Sequence, residues 1–304
     1  MTEHTYSIYS YIHQARQVYR QGGNISEFLR KSLNEPANTP EIIEVSYDLQ
    51  SGSYIKHIRQ FQKEHHAYCK EIANYIDKHI DRNSSLLEVG CGEMTTLLGV
   101  YTHFSDKLTH ILGFDISLSR VKVGLDYWNS QNVQATKTTF FVADLFHIPL
   151  ADNSIDIVLT SHAIEPNGGK EVEALRSIFR VARKRVLLFE PYFEKASIEG
   201  QARMLKHGYI RNLPQAIQEA GGILVDIRKM ISTHNPLNPT YLFDISLNKT
   251  TNLTNNLWID PVTSALMFRK SDHFFCPDSG LAYPIIKGIP CLRVNNAILA
   301  THLD

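Results

Sequence analysis

The chain has 304 residues, room for one large domain or two modest ones. Hydrophobic residues make up 43%, only 12 residues are proline, and Lys plus Arg (31) balances Asp plus Glu (31). That excludes a disordered, collagen-like or coiled-coil chain, and a net charge of zero argues against a broad phosphate-gripping surface.

Residues 1–84 read as a helical cap. Ile55, Ile58, Phe61, His65, Tyr68, Ile72, Tyr75, Ile76 and Ile80 recur at steps of three and four, predicting one long amphipathic helix after shorter ones. Breaks are expected at Gly22-Gly23-Asn24 and across 34–40. The N-terminal MTEHTYSIYSYIHQ lacks a signal-peptide layout, and no apolar run reaches the ~18–20 residues of a membrane span. Four cysteines without a C-x-x-C pair fit a reducing compartment, so a soluble, cytoplasmic chain is expected.

From Ser85 the pattern changes. The runs SLLEVG, HILGFD, TTFFVAD, IDIVLTSH and RVLLFE alternate with helical stretches, among them 171–182, a helix from about Lys195 and one over 213–220. Near-continuous Val, Ile, Leu and Phe runs are the signature of parallel strands buried on both faces, so residues 85–250 predict a doubly wound α/β layer. ILVDIRKMI and TYLFDISL have no helix between them and predict an antiparallel hairpin at one sheet edge. A polar stretch, Asn248 to Asn256, separates a short tail; the expected third unit is 251–304.

The first buried strand runs into Glu88-Val89-Gly90-Cys91-Gly92-Glu93-Met94 and opens a helix. Two glycines there let the backbone turn tightly and approach a ligand. A dinucleotide fingerprint would put a third glycine at position 95, which is Thr95, and an acid at Glu88 would repel a pyrophosphate. A cationic ligand suits Glu88 better. Asp115 closes the second strand and Asp144 the third.

Glu88, Gly90 and Gly92, followed by these two acids, resemble the class I S-adenosylmethionine-dependent methyltransferases over about 85–247. The resemblance implies a Rossmann-like seven-stranded sheet whose last two strands form an antiparallel hairpin, and S-adenosyl-L-methionine as cofactor. It places Glu88, Gly90, Cys91 and Gly92 at the methionine half, with Asp115 and Ile116 at the ribose. Asp144 and Leu145 fall at the adenine, and Ser161 at the end of the fourth strand. The chain has Met94 where that family often carries a further glycine.

On the acceptor side, His162 and Glu165 follow the fourth strand and are of the type that can take a proton during methyl transfer to oxygen. Strand and helix capping would explain them equally well. Glu190 and Tyr192 follow the fifth strand, and Arg203 and Tyr209 belong to a cluster that could clamp a carboxylate or phosphate. No H-x-x-x-H or H-E-x-x-H occurs, so a metal site is not expected.

In the tail, Trp258-Ile259-Asp260-Pro261, Phe275-Cys276-Pro277-Asp278-Ser279 and Ala282-Tyr283-Pro284-Ile285 with Gly288-Ile289-Pro290 are similar to the small zinc-ribbon activator of methyltransferases acting on tRNA, rRNA and release factors. Asp260, Thr263, Cys276 and Ser279 stand where the ribbon's metal pairs would be, and one cysteine cannot hold a structural zinc. A metal-free β-ribbon is therefore expected, packed on the hairpin edge of the sheet. The acceptor expected is a small polar or sugar-like molecule, with neither nucleic acid nor membrane as partner. An RNA or protein methyltransferase and an inactive cofactor-binding scaffold are the alternatives.

Overall fold

Seven strands form one sheet: β1 (Ser84–Val89), β2 (Leu108–Asp115), β3 (Thr138–Val142), β4 (Ile155–Ser161), β5 (Ala182–Pro191), β6 (Ile223–Lys229) and β7 (Thr240–Ser246). Their spatial order is β3-β2-β1-β4-β5-β7-β6, with β1 to β5 parallel and β7 antiparallel to both neighbours. The computed structural model describes residues 7–303 apart from 105–106, 132–136, 234, 248 and 250–256. The expected polar stretch at 248–256 therefore lies, but for Lys249, outside the described residues. The strand order reverses between β1 and β4, and there the carboxyl ends of neighbouring strands open a crevice.

The helices are α1 (Ile12–Arg20), α2 (Ile25–Leu33), α3 (Pro40–Asp48), α4 (Ser53–Gln60), α5 (Gln62–Ile76), α6 (Thr95–Tyr101), α7 (Leu118–Ser130), α8 (Glu171–Val181), α9 (Ile198–His207) and α10 (Leu213–Glu219). Their ends follow sequence signals. Asn24 and Thr39 cap α2 and α3, Pro40 opens α3, Ser197 caps α9, and Gly208 ends α9 at φ 69°. The single long helix expected from the isoleucine stripe is two helices. Phe61 (φ −120°, ψ 50°) leaves helical geometry: its N–H still bonds His57 O, while its carbonyl starts α5 at His65 N. Local periodicity survives such a break, so the sequence pattern does not show it.

Each sheet face has its own core. One packs Leu87, Val89, Phe114 and Phe243 against α8 and α10; the other packs Leu86, Leu97, Ile111 and Leu187 against α5, α6 and α7. Helices α1 to α3 hold a small separate cluster around Ala15, Leu29 and Ile42. They are tied to the sheet domain by polar bonds. Asn38 Nδ2 donates to Pro166 O (2.8 Å) and His207 O (3.1 Å), Arg30 Nη2 to Lys206 O (2.7 Å), and Ser117 Oγ to Asp48 (2.7 Å).

The tail adds β8 (Phe268–Arg269), β9 (His273–Cys276), β10 (Leu281–Ile286), β11 (Ile289–Pro290) and β12 (Ile298–Leu299) in a small antiparallel sheet. It docks at the opposite edge from the one expected. Cys291 bridges Val142 in parallel register, Leu292 N donates to Val142 O (2.8 Å), and Leu150 pairs with Trp258. The tail thus continues the sheet beyond β3 instead of covering the β6–β7 hairpin. Trp258 lies edge-on to Phe141 (5.2 Å) and Phe274 (5.1 Å), joining the tail to the sheet core. Of Asp260, Thr263, Cys276 and Ser279, three meet at one carboxylate. Asp260 accepts from Thr263 Oγ1 (2.9 Å), Tyr283 Oη (2.7 Å), Val262 N (3.0 Å) and the Ser279 hydroxyl.

Candidate active site

Gly90 and Gly92 take left-handed backbone angles (φ 67° and 51°) at the carboxyl end of β1. A Cβ on Gly90 would stand 2.4 Å from that of Ala163, so only glycine lets the loops after β1 and β4 approach so closely. Met94 is also left-handed (φ 59°) and fully buried. A glycine would adopt this conformation freely, and the methionine costs this chain about 1–2 kcal/mol of strain. Asp115 organises the turn, Oδ2 accepting from Gly92 N and Oδ1 from Ser117 N, both at 3.0 Å. Asp144 accepts from Phe146 N (3.0 Å). Val89, Gly90, Asp115, Ile116, Asp144, Leu145, Ser161 and His162 line a cleft of about 90 Å³.

Three of the expected cofactor residues lie behind this lining. Cys91 packs its buried thiol against Gly113, burial holding the thiol pKa high, and gives its N–H to Phe114 O (2.8 Å). Glu88 is buried, receives Leu97 N–H at the start of α6, and leaves Oε2 without a partner; burial pushes its pKa up. Gly92 is covered by Arg120. That guanidinium is buried beside Asp115 (3.8 Å) and stacked over the rings of Tyr47 (5.1 Å) and Tyr54 (4.5 Å). The donor set suits S-adenosylmethionine: an orphaned buried carboxylate oxygen at Glu88, a glycine turn with no room for side chains, and two acids at neighbouring strand ends.

A second cavity, about 650 Å³, lies between the cap helices and the ends of the strands. Ile43, Tyr47, Tyr54, Ser161, His162 and Pro166 line both spaces, so cleft and chamber are neighbours. His162 holds a left-handed conformation (φ 54°), the kind of local strain that gathers at functional sites. Its Nδ1 is 2.8 Å from Glu165 Oε2, and its Nε2 is 2.7 Å from Thr240 Oγ1. Glu165 also accepts from Asn238 Nδ2 (3.0 Å) and from the Tyr209 hydroxyl. Burial works against charge on both partners, yet each overcomes it. The Glu165 carboxylate raises the His162 pKa above its ordinary value, and His162, Asn238 and Tyr209 hold Glu165 below its own.

Arg203 and Tyr209 line the chamber with His162 and Glu165, so four of the six expected acceptor-side residues come together. Glu190 and Tyr192 do not. Glu190 is fully buried beneath the 162–164 loop, accepting Ala163 N (2.9 Å) and Ile164 N (3.3 Å), and burial lifts its pKa to about 7. Tyr192 is packed edge-on against Tyr241 and Phe243. Residues not singled out in the sequence supply much of the wall. Tyr68, one of the periodic core positions, reaches Ser161 Oγ with its hydroxyl (2.9 Å). Asn238 comes from the hairpin loop, marked only by Asn-Pro pairs. Arg120 reads as one more base on a solvated helix. Glu93, in the glycine loop, caps α4 by accepting Gly52 N (2.9 Å) and Ile55 N (2.8 Å). Among the described residues, no three His, Cys, Asp or Glu side chains converge as a metal site, and no helix is long and apolar enough to cross a membrane.

The sheet order, with its antiparallel seventh strand and the crevice beside β1, defines a Rossmann-like methyltransferase fold. Residues 80–235, just over half of the chain, match the family model described as a methyltransferase domain. The chain belongs to that family: it is a class I methyltransferase with S-adenosylmethionine as its cofactor. Two solved structures share its fold. Magnesium protoporphyrin IX methyltransferase from Synechocystis PCC 6803, with bound SAH, is 13% identical over 68% of this chain and 99% of that one, with a TM-score of 0.51. A chain from the complex between the Haloferax volcanii Trm112 methyltransferase activator and a methyltransferase is 12% identical over 66% of this chain and 97% of that one, also with a TM-score of 0.51.

Proposed function

We propose that this methyltransferase O-methylates a small polar or sugar-like molecule held in the chamber under the cap helices. The observation that carries the reading is the chamber itself. Its volume of about 650 Å³ suits a small molecule, for which sites run roughly 300–1,000 Å³. Its wall is rich in hydroxyl, amide and imidazole groups, among them Ser46, Gln50, His57, Tyr68, Asn235 and Asn238. When bound, the cofactor supplies an electrophilic methyl group on a sulfonium. Gly90, Asp115, Ile116, Asp144 and Leu145 hold its nucleoside part, and the orphaned Glu88 oxygen favours the positively charged methionine end.

His162 and Glu165 act as one proton-accepting pair. Glu165 fixes the imidazole through Nδ1 and stabilises the imidazolium. Nε2 receives the acceptor's proton, exchanging its Thr240 hydrogen bond for the acceptor hydroxyl. The cap helices form one wall of the chamber. The tail is a metal-free counterpart of the ribbon activator, carried on the same chain as the catalytic domain.

The test is to incubate the protein with S-adenosylmethionine and a panel of hydroxylated small molecules, tRNA and protein extracts, following S-adenosylhomocysteine release. Turnover confined to small hydroxylated acceptors supports this reading. Turnover confined to tRNA or protein replaces it, and cofactor binding without turnover on any class points to an inactive scaffold.

A further inference from the structure

Arg203 carries a charge that no described ion pair balances. It lines the cavity, its Nη1 is shielded from solvent with no hydrogen-bond partner among the described residues, and its guanidinium lies over the Tyr209 ring at 5.7 Å. It is the one Arg or Lys among the cavity-lining residues described, and Glu165 is the one acid. Glu165 is already committed. It carries hydrogen bonds from His162, Asn238 and Tyr209, and it forms no described ion pair with Arg203. The neighbouring imidazole does not balance the charge either. His207 sits next to Arg203, held by Asn24 at Nδ1 (3.2 Å), and burial, with Arg203 itself, pushes its pKa down toward the neutral form. The His162–Glu165 pair is neutral as a unit when His162 is protonated, so Arg203 then leaves the chamber with a net positive charge.

Shielding one edge of a guanidinium from water without a partner is costly, and a planar fork of N–H donors is shaped for an oxyanion. We infer that Arg203 is the anchor of an oxyanion subsite, so that the acceptor of the methyl group carries a carboxylate or phosphate in addition to the atom that is methylated. This deepens the reading of the chamber as an acceptor site and rests on it. The anion sits at Arg203 of α9, beside Tyr209, while His162 also lines the cofactor cleft. The charged group then orients the molecule, with the reacting hydroxyl turned toward His162. Tyr209 links Arg203 to the His162–Glu165 pair, with its ring under Arg203 and its hydroxyl on Glu165.

The test titrates the full chain, loaded with S-adenosylhomocysteine, with inorganic phosphate and separately with acetate, and reads arginine side-chain NMR shifts and melting temperature. Wild type should show saturable binding of at least one anion, and which one binds decides between a phosphate and a carboxylate acceptor. Arg203→Gln should weaken that binding about tenfold or more. Arg203→Lys should retain part of it, and Lys206→Gln, at an exposed neighbour, should leave it unchanged. Both Arg203 variants should bind S-adenosylhomocysteine as wild type does, which separates loss of the subsite from loss of the fold. No saturable binding of either anion, or equal binding by Arg203→Gln, overturns the inference. Failure of wild type to bind S-adenosylhomocysteine instead defeats the methyltransferase reading beneath it.

Discussion

The guanidinium of Arg120 takes the space that a side chain at position 92 would need: a Cβ on Gly92 would lie 2.3 Å from Arg120 Nη2. The same guanidinium stands 3.8 Å from Asp115 and is stacked against Tyr47 and Tyr54 of the cap. Glycine loop, acid and helical cap therefore meet at one cation. Asp115, Arg120, Tyr47 and Tyr54 all line the cleft of about 90 Å³ beside it.

Asp115→Ala should weaken S-adenosylmethionine binding by roughly 2–4 kcal/mol, at ~1.5–3 kcal/mol for each hydrogen bond to a charged group. Calorimetric titration measures this directly. Unchanged affinity would remove Asp115 from the cofactor site and leave it as the tie between Gly92, Ser117 and Arg120.

Turnover should depend on the His162–Glu165 pair and report its protonation. The His162 pKa is raised by Glu165, and a base works only when deprotonated, so kcat should rise with pH through an inflection above 6.5. Glu165→Gln removes the raising charge and leaves burial, which shifts the inflection to lower pH. His162→Ala should lower kcat ~10²–10⁴-fold with cofactor affinity unchanged. A pH profile identical in wild type and Glu165→Gln would assign the pair to structure alone.

Glu190 gives a stability signature instead. Its pKa is about 7 in the fold against 4.5 for an ordinary glutamate, because burial disfavours the carboxylate. A raised acid contributes stability that is fully present below 4.5 and is lost as pH climbs to about 7. Glu190→Gln has no such proton to lose. Its melting temperature should therefore improve relative to wild type between these two pH values and level off above them. Parallel melting curves across the range would show that the carboxyl is not strained by burial.

Much of the fold could be read from residue patterns. Buried strands such as Ile155–Ser161 are continuous apolar runs, and Gly221-Gly222 stops a helix just before the hairpin. The acids at strand ends were legible for the same reason, since each ends an apolar run. What escaped lies in three dimensions. Tyr47, Tyr54 and Arg120 meet only because α3, α4 and α7 converge, and nothing in their local sequence separates them from surface or core residues. The tail's docking edge was misread because its neighbour in sequence is the hairpin. Strand order places β3 at the other edge, and Cys291 and Leu292 pair there.

The Asp260 cluster should take the place of a metal. Asp260 is fully buried and accepts from Thr263, Ser279 and Tyr283, so Asp260→Ala should cost roughly 2–4 kcal/mol in denaturant unfolding. EDTA should leave the wild-type curve where it is. A chelator-sensitive transition, or an alanine variant as stable as wild type, contradicts this.

Ending the chain before residue 257 should expose the β3 edge and strip Trp258 from Phe141. A lower melting temperature or aggregation is the expected result, by differential scanning calorimetry and light scattering. A truncated protein that remains monomeric with an unchanged melting point would make the tail an independent appendage.

The pairing of Val142 with Cys291 also sets an order of events at the ribosome. The strands of the sheet are complete by Ser246, yet the partner of β3, Cys291, is made well after them. During synthesis the chain therefore passes through a stage in which a nearly finished sheet presents an open edge, the arrangement that recruits foreign strands. Closure waits for a contact of very long sequence separation, the kind that forms slowly. A nascent chain of this protein is most in need of a chaperone between the emergence of β7 and that of Cys291.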